Sequence, residues 1–300
     1  MKRLACLLVG LAVSALALAH AGADGTKRGG IEASMVVTGT ITVDPDGSVQ
    51  GYSIDDLVKL PPAARHIIQA TVPRWQFVPI MSNGKAVAAQ AGMSLRIVAD
   101  MIGEQHAIVR IAGAEFGCDA TGAHKLLPNA CAANTTVTPQ QRRPPRYPIE
   151  ALQAWVGGDV FLVLQIGRDG RVQQADVRQV NLYSLASDRA RYRHLLADAS
   201  LRVARTWRYH VPTIGAGAEK DHWVVHVSVN YVIDGTYAAN RKYGQWSVYV
   251  PGPVQHIPWA DEDGRGVSRG SADAIASGAS FVRDVRFVLK TPLAANSGQS

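Results

Sequence analysis

Gly266-Val267-Ser268-Arg269-Gly270 has the spacing of a serine-hydrolase nucleophile elbow. That chemistry needs a strand before the serine and a helix after it, so that the hydroxyl stands exposed on a strained turn. Residues 261–265, Asp-Glu-Asp-Gly-Arg, carry no strand pattern, and a loop accounts for the match. A periplasmic hydrolase acting through Ser268 is therefore a distant alternative. Ser82 and Lys85 have Ser-x-x-Lys spacing but enclose Asn83-Gly84, a hairpin-turn pair rather than a helix start. His222 and His226 have the i, i+4 spacing of helical metal ligands, yet their segment alternates as a strand. Four residues of strand separate them by roughly 13 Å, too far to share one ion. Asp44-x-Asp46-Gly47 begins like a calcium loop without its later ligands or closing glutamate, and a turn explains it. With no glycine-rich phosphate cradle either, the expectation is a protein that is not an enzyme and takes no metal or cofactor.

Two cysteines remain informative once the N-terminus is read. Lys2 and Arg3 precede an apolar run from Leu4 to Ala19, and Ala19-His20-Ala21 supplies small residues around a cleavage point. This is the pattern of a secretory signal cleaved after Ala21, and the run is shorter than the roughly 20 residues of a membrane-spanning helix. Cleavage would remove Cys6 and leave Cys118 and Cys131, an even pair in an oxidising compartment, the periplasm. A disulfide is the expected outcome, closing a loop of about a dozen residues and worth roughly 3 kcal/mol through the unfolded state. The formal charge of +7 becomes +5 without Lys2 and Arg3. Basic residues cluster at Arg142-Arg143-Pro-Pro-Arg146 and between Arg189 and Arg208. Outside the cytoplasm such a surface meets anionic envelope polymers or acidic partners, not nucleic acid, and a solvated helix face explains it equally well.

The elements emerge from periodicity. Residues 145–231 read as Pro-Arg-Tyr-Pro, a short helix, a strand ending at Asp169-Gly170, a second helix running into Trp207-Arg208-Tyr209, and the alternating strand Trp223 to Tyr231. Residues 36–98 read as a degenerate earlier copy. Ile41 and Val43 correspond to Leu164 and Ile166, Asp46-Gly47 to Asp169-Gly170, and Trp75-Gln76-Phe77 to Trp207-Arg208-Tyr209. Pro61-Pro62 and Pro73 shorten its helix. Trp75 and Trp207 are expected as core anchors. The resulting layout is a signal peptide (1–21), a first unit (31–100), a disulfide-tightened linker (101–143), a second unit (144–234) and an extension with two strands and a loose tail (235–300). The predicted fold class is α+β: two small units, each of two helices packed on a short antiparallel sheet, plus a C-terminal β extension.

The second unit resembles the C-terminal domain of TonB-type energy transducers, through Tyr147-Pro148, Asp169-Gly170 and Trp207-Arg208-Tyr209. The resemblance covers under a third of the chain. It implies a periplasmic, non-enzymatic binding or adaptor role, in which an extended peptide of an outer-membrane transporter or other envelope protein joins a sheet edge. Carried onto this sequence, the pairing surface is the backbone of Val224, Val225, His226, Val227, Ser228, Val229 and Asn230, with the basic run from Arg142 to Arg146, Arg146 above all, beside it. Val225, Val227, Val229 and Tyr231 are expected toward the helices, with Val224, His226, Ser228 and Asn230 facing outward. Family domains also associate with peptidoglycan. Open edges make a homodimer a further expectation, and strands after Tyr231 are able to occupy the same edge. A true energy transducer with an uncleaved N-terminal anchor is the alternative. Intact mass of the exported protein separates the two: cleavage gives a chain beginning at Gly22, an anchor leaves Met1 in place.

Overall fold

Strand alternation organises most of the chain. In the computed structural model, residues 30–102, 106–119, 131, 134–215, 217–236, 238–261 and 272–293 are described. The expected signal segment, Ser268 with its flanking glycines, and the tail from 294 lie outside them. β1 (Glu32–Val43) buries Met35, Val37, Ile41 and Val43 on one face, and β5 (Ala89–Ile102) buries Ala91, Met93, Leu95 and Ile97 on the same side. α1 (Pro62–Thr71), opened by a proline whose missing N–H costs nothing there, packs Ala64 and Ile68 against them. β2 (Val49–Ile54) and the two-residue strands β3 (Met81–Ser82) and β4 (Lys85–Ala86) complete this part. Asn83 and Gly84 both take positive φ in the β3–β4 turn.

The second part repeats the order. β8 (Gly158–Gly167), β9 (Val172–Leu182), α3 (Arg189–Ala204) and β11 (His222–Tyr231) follow β6 (His106–Asp119), β7 (Thr138–Gln141) and the five-residue α2 (Ile149–Gln153). α3 is capped by Asp188, which accepts from the Arg191 N–H at 3.2 Å, and buries Leu196, Ser200 and Ala204 at four-residue spacing. The turns of both parts are built alike. Gly47 and Gly170 take positive φ, and a Cβ on either would sit 2.2 Å from the Phe77 or Tyr209 carbonyl oxygen. Those same residues return the bond: Phe77 N–H donates to Gly47 (2.8 Å) and Tyr209 N–H to Gly170 (2.9 Å). Glycine is required at both turns, and each locks the chain just past a fully buried tryptophan, Trp75 or Trp207.

The two parts do not stand as separate small units, and the α+β expectation is corrected accordingly. The fold is mainly β, with one antiparallel nine-stranded sheet in the order β12 (Ser247–Tyr249), β1, β5, β6, β13 (Ser280–Arg283), β11, β8 and β9, and β2 also on β1. Each half packs one long helix, not two. The C-terminal residues are not an appendage. β13 pairs with β6 on one side and β11 on the other, and β12 pairs with the start of β1. Residues 106–119, read from sequence as part of a linker, form the full-length strand β6. Its next-to-last residue is Cys118, which is disulfide-bonded to Cys131, 13 positions on.

One more contact closes the sheet. Val250, next to β12, exchanges both backbone bonds with Leu182 at the end of β9 (2.7 and 3.0 Å). The strand path thereby returns to its start, and eight strands enclose an interior, a number whose interior side chains can just fill. The helices cover the outside, while the alternate strand residues and Ala272–Ala279 occupy the inside. That inside is polar. Arg96 of β5 binds Glu32 of β1 and Asp273 (3.0 Å), and Tyr249 of β12 bonds Ser34 (2.9 Å), Glu32 (2.7 Å) and Asp273 (3.0 Å). Asn181 of β9 donates to Asp273 (3.0 Å). Burial alone would depress the Arg96 pKa, but Asp273 and Tyr249 hold it above its ordinary value. A buried charge cluster of this kind is costly to break, because removing one member strands the others. Arg96→Met is expected to lower stability by about 3–5 kcal/mol in urea unfolding, since Glu32 and Asp273 then face each other without a counter-charge.

Candidate functional site

The outer edge of β11 is occupied along only part of its length. Its inner edge pairs with β8 from His222 to Tyr231. On the outer side β13 covers His226 and Val227, and Ser228 adds a single bond from its N–H to the Ala279 carbonyl (3.1 Å). Beyond Ser228 no strand lies against this edge among the described residues. A cleft of about 680 Å³ runs there, within the range of roughly 300–1,000 Å³ typical of binding sites. Ser228, Val229, Asn230, Tyr231 and Val232 form one wall, and Pro139, Arg142, Pro144, Pro145 and Tyr147 the other, with Trp207 and Gly278 completing it.

Each wall is held rigidly. Three prolines limit the backbone of the facing segment. Trp207, locked after α3 by the Gly170 turn, donates its indole N–H to the Arg143 carbonyl (2.9 Å). Tyr147 donates to the Val156 carbonyl (3.0 Å) and meets Tyr231 edge to face, ring centroids 5.3 Å apart. Burial, then the neighbouring Tyr231, pushes the Tyr147 pKa to about 12, and burial does the same for Tyr231, so both phenols stay neutral donors. Arg142 lies over the Trp207 ring at 5.3 Å and donates to Ser280 Oγ (2.8 Å) and to the carbonyls of Gly278 (2.9 Å) and Ser228 (3.3 Å). Its guanidinium takes the place of a strand where β13 ends, at the cost of a pKa lowered by burial. The arrangement offers backbone groups, aromatic faces and one cation to an extended segment. Among the described residues lining it, no nucleophile is paired with a base.

The residues proposed from sequence are dispersed around this edge. Val225, Val227 and Val229 face the α3 core. The alternate face does not look out to solvent, a correction to the outward-facing expectation: the closed sheet puts it inside. Ser228 is fully buried there. Asn230 donates to Asp159 (2.7 Å) and to the Tyr183 hydroxyl (2.7 Å), which itself donates to Asp159 (2.6 Å). Val224 is half-buried, and Arg146 is exposed and does not line the cleft. Arg142, in the same basic run, takes the position expected of Arg146. Sequence reasoning places the Arg142 to Arg146 run beside the edge but leaves Tyr147 and Trp207 out of the site. Their local patterns signal turn and core, and only the fold brings them to β11. His222 is exposed while His226 is buried. Among the described residues no three His, Cys, Asp or Glu side chains gather to hold a metal.

No family model matches the chain, and no curated protein matches it. Among solved structures, the solution NMR structure of the Pseudomonas aeruginosa TonB CTD is similar at 20% identity, over 35% of this chain and 94% of its own, with a TM-score of 0.26. This is a weak likeness to a TonB-type C-terminal domain and supplies no functional argument.

His226 gives the interior a pH dependence. Burial first, then Arg283 and Arg178, depress its pKa well below the ordinary value. Arg283 is bidentate to buried Glu115, whose pKa burial raises, so acid and base share this region. A histidine neutral in the folded state binds fewer protons than the unfolded chain, so stability is lost as pH falls below about 6.5. The slope from this group is at most about 1.4 kcal/mol per pH unit. Urea unfolding between pH 7.5 and 5 is expected to show it in the parent and a shallower fall in His226→Gln, the difference isolating His226 from Glu115.

Proposed function

We propose that this is a non-enzymatic periplasmic binding protein that pairs an extended segment of an envelope protein with the outer edge of β11 beyond Ser228. The observation that carries the reading is internal. β5 and β11 occupy equivalent places in the two halves, each the next long strand after the long helix, paired with the strand that precedes the Asp-Gly turn, β1 or β8. The outer edge of β5 is filled from Gly92 to Ile102 by the 14-residue β6. Among the described residues, the outer edge of β11 meets β13 at His226 and Val227, the Ala279 carbonyl and the Arg142 guanidinium. The remaining edge opens into a preformed cleft, so a partner need order only itself on binding.

Backbone pairing there would supply affinity, and the aromatic wall of Tyr147, Tyr231 and Trp207 would select side chains. The non-enzymatic reading is supported by the same side chains, whose polar atoms are spent on backbone carbonyls and on Ser200. Export is supported by the N-terminal pattern and by the Cys118–Cys131 disulfide, which persists in an oxidising compartment.

A displayed library of random 12-residue peptides, selected against the folded protein, tests this. Selected peptides are expected to slow hydrogen exchange at Asn230 and Val232. N-methylation at alternate peptide positions should weaken binding at least ten-fold in one phase and leave it intact in the other, the signature of strand pairing. Protection confined to other surfaces, or affinity indifferent to the phase of methylation, would overturn the proposal.

A further inference from the structure

α2 carries an apolar surface that the fold leaves uncovered. Ile149 is 71% exposed, Leu152 45% and Trp155, just past its end, 66%. The helix is nevertheless firmly seated. Ala151 and Val156 are fully buried in the α3 core, Val156 N–H donates to Ala151 (2.9 Å), and Glu150 pairs with Arg191 of α3. Trp155 itself sits at φ 55, a left-handed conformation that a bulky side chain adopts at a cost and that glycine adopts freely. Its N–H bonds the Leu152 carbonyl (3.1 Å), as any residue's would. So the ring is held in a strained backbone position and gains little burial within the chain. Strain retained without internal return points to an external partner.

The surroundings indicate which partner. Arg143 and Arg146, just upstream, are exposed, and neither has a carboxylate partner among the described residues. These three apolar side chains project from the five-residue α2 and the turn after it, and do not line the cleft beside β11. A projecting Trp-Ile-Leu knob flanked by arginines is the composition of an interfacial membrane contact, with the indole at the headgroup level and the guanidinium groups on anionic lipid. We infer that this face docks on an anionic bilayer surface. Gly157 packs against the Tyr231 carbonyl, so the docking face adjoins the end of the β11 cleft.

Vesicle flotation with the chain from residue 22 onward, which retains every described residue, tests the inference. Binding is expected to phosphatidylcholine vesicles containing about a quarter phosphatidylglycerol, and to fall with added salt. Trp155→Gly suits the φ of that position, so it is expected to keep or raise the thermal midpoint while weakening binding at least ten-fold. Arg143→Gln with Arg146→Gln should remove the preference for anionic vesicles. Equal flotation of parent and Trp155→Gly, or none with either lipid, would overturn it. So would a concentration-dependent mass that Trp155→Gly abolishes, because the face would then join two copies of the chain.

Discussion

A single guanidinium organises the interior. Arg96 reaches from β5 to Glu32 on β1 and to Asp273 on the segment threaded through the closed sheet, while Tyr249 of β12 bonds the same two carboxylates. Around it meet three pieces of chain far apart in sequence, and Asn181 extends the cluster to β9. Hydrophobic burial explains why each half folds, since each has its own apolar core under its own helix. It does not explain why the halves close on each other. The faces they turn inward carry few large apolar groups beyond Phe161, Ile275 and Phe281. A buried charge cluster is weak as a source of net stability but specific in geometry, because only one arrangement satisfies every member.

That specificity explains the asymmetry between the halves. The chain gives β5 a long neighbour and β11 a short one, and β13 is also the strand that bonds the halves at β6. Lengthening β13 toward Ala279 and Gly278 would fill the cleft. Instead the chain turns inward there, where Ala274 and Ile275 are buried and Asp273 meets Arg96. The open edge at Asn230 is thus tied to the polar interior: residues that would have continued the strand are committed to the cluster.

Much of this was legible in the sequence, and the reasons for the rest are specific. Alternation placed β8 and β11, and the Asp-Gly turns with their downstream tryptophans were correctly read as turn and core. β6 was obscured by Gly113 and Gly117, which interrupt its apolar pattern and gave its surroundings the look of a linker. β12 and β13 fall where the extension's two strands are expected, but at three and four residues nothing local signals that they pair into the main sheet. The polar alternates Arg96, Glu115, His226 and Ser228 were misleading in another way. A polar residue opposite an apolar face normally meets water, and nothing local distinguishes that from a polar interior. The cleft was hidden for the same reason, since Arg142 and Ser228 are 86 positions apart.

The bridge between Leu182 and Val250 sets an order of events. The hydrogen bond from Tyr249 to Glu32 spans 217 positions. The start of the first strand, Glu32 to Ser34, must therefore wait for the last quarter of the chain, although β2 already covers Gly39 to Val43 on that edge. Such long-range closure makes folding slow and leaves the start of β1 unsealed during synthesis. A chain built this way cannot finish folding from its N-terminus onward. Its assembly is completed only when its final strands arrive.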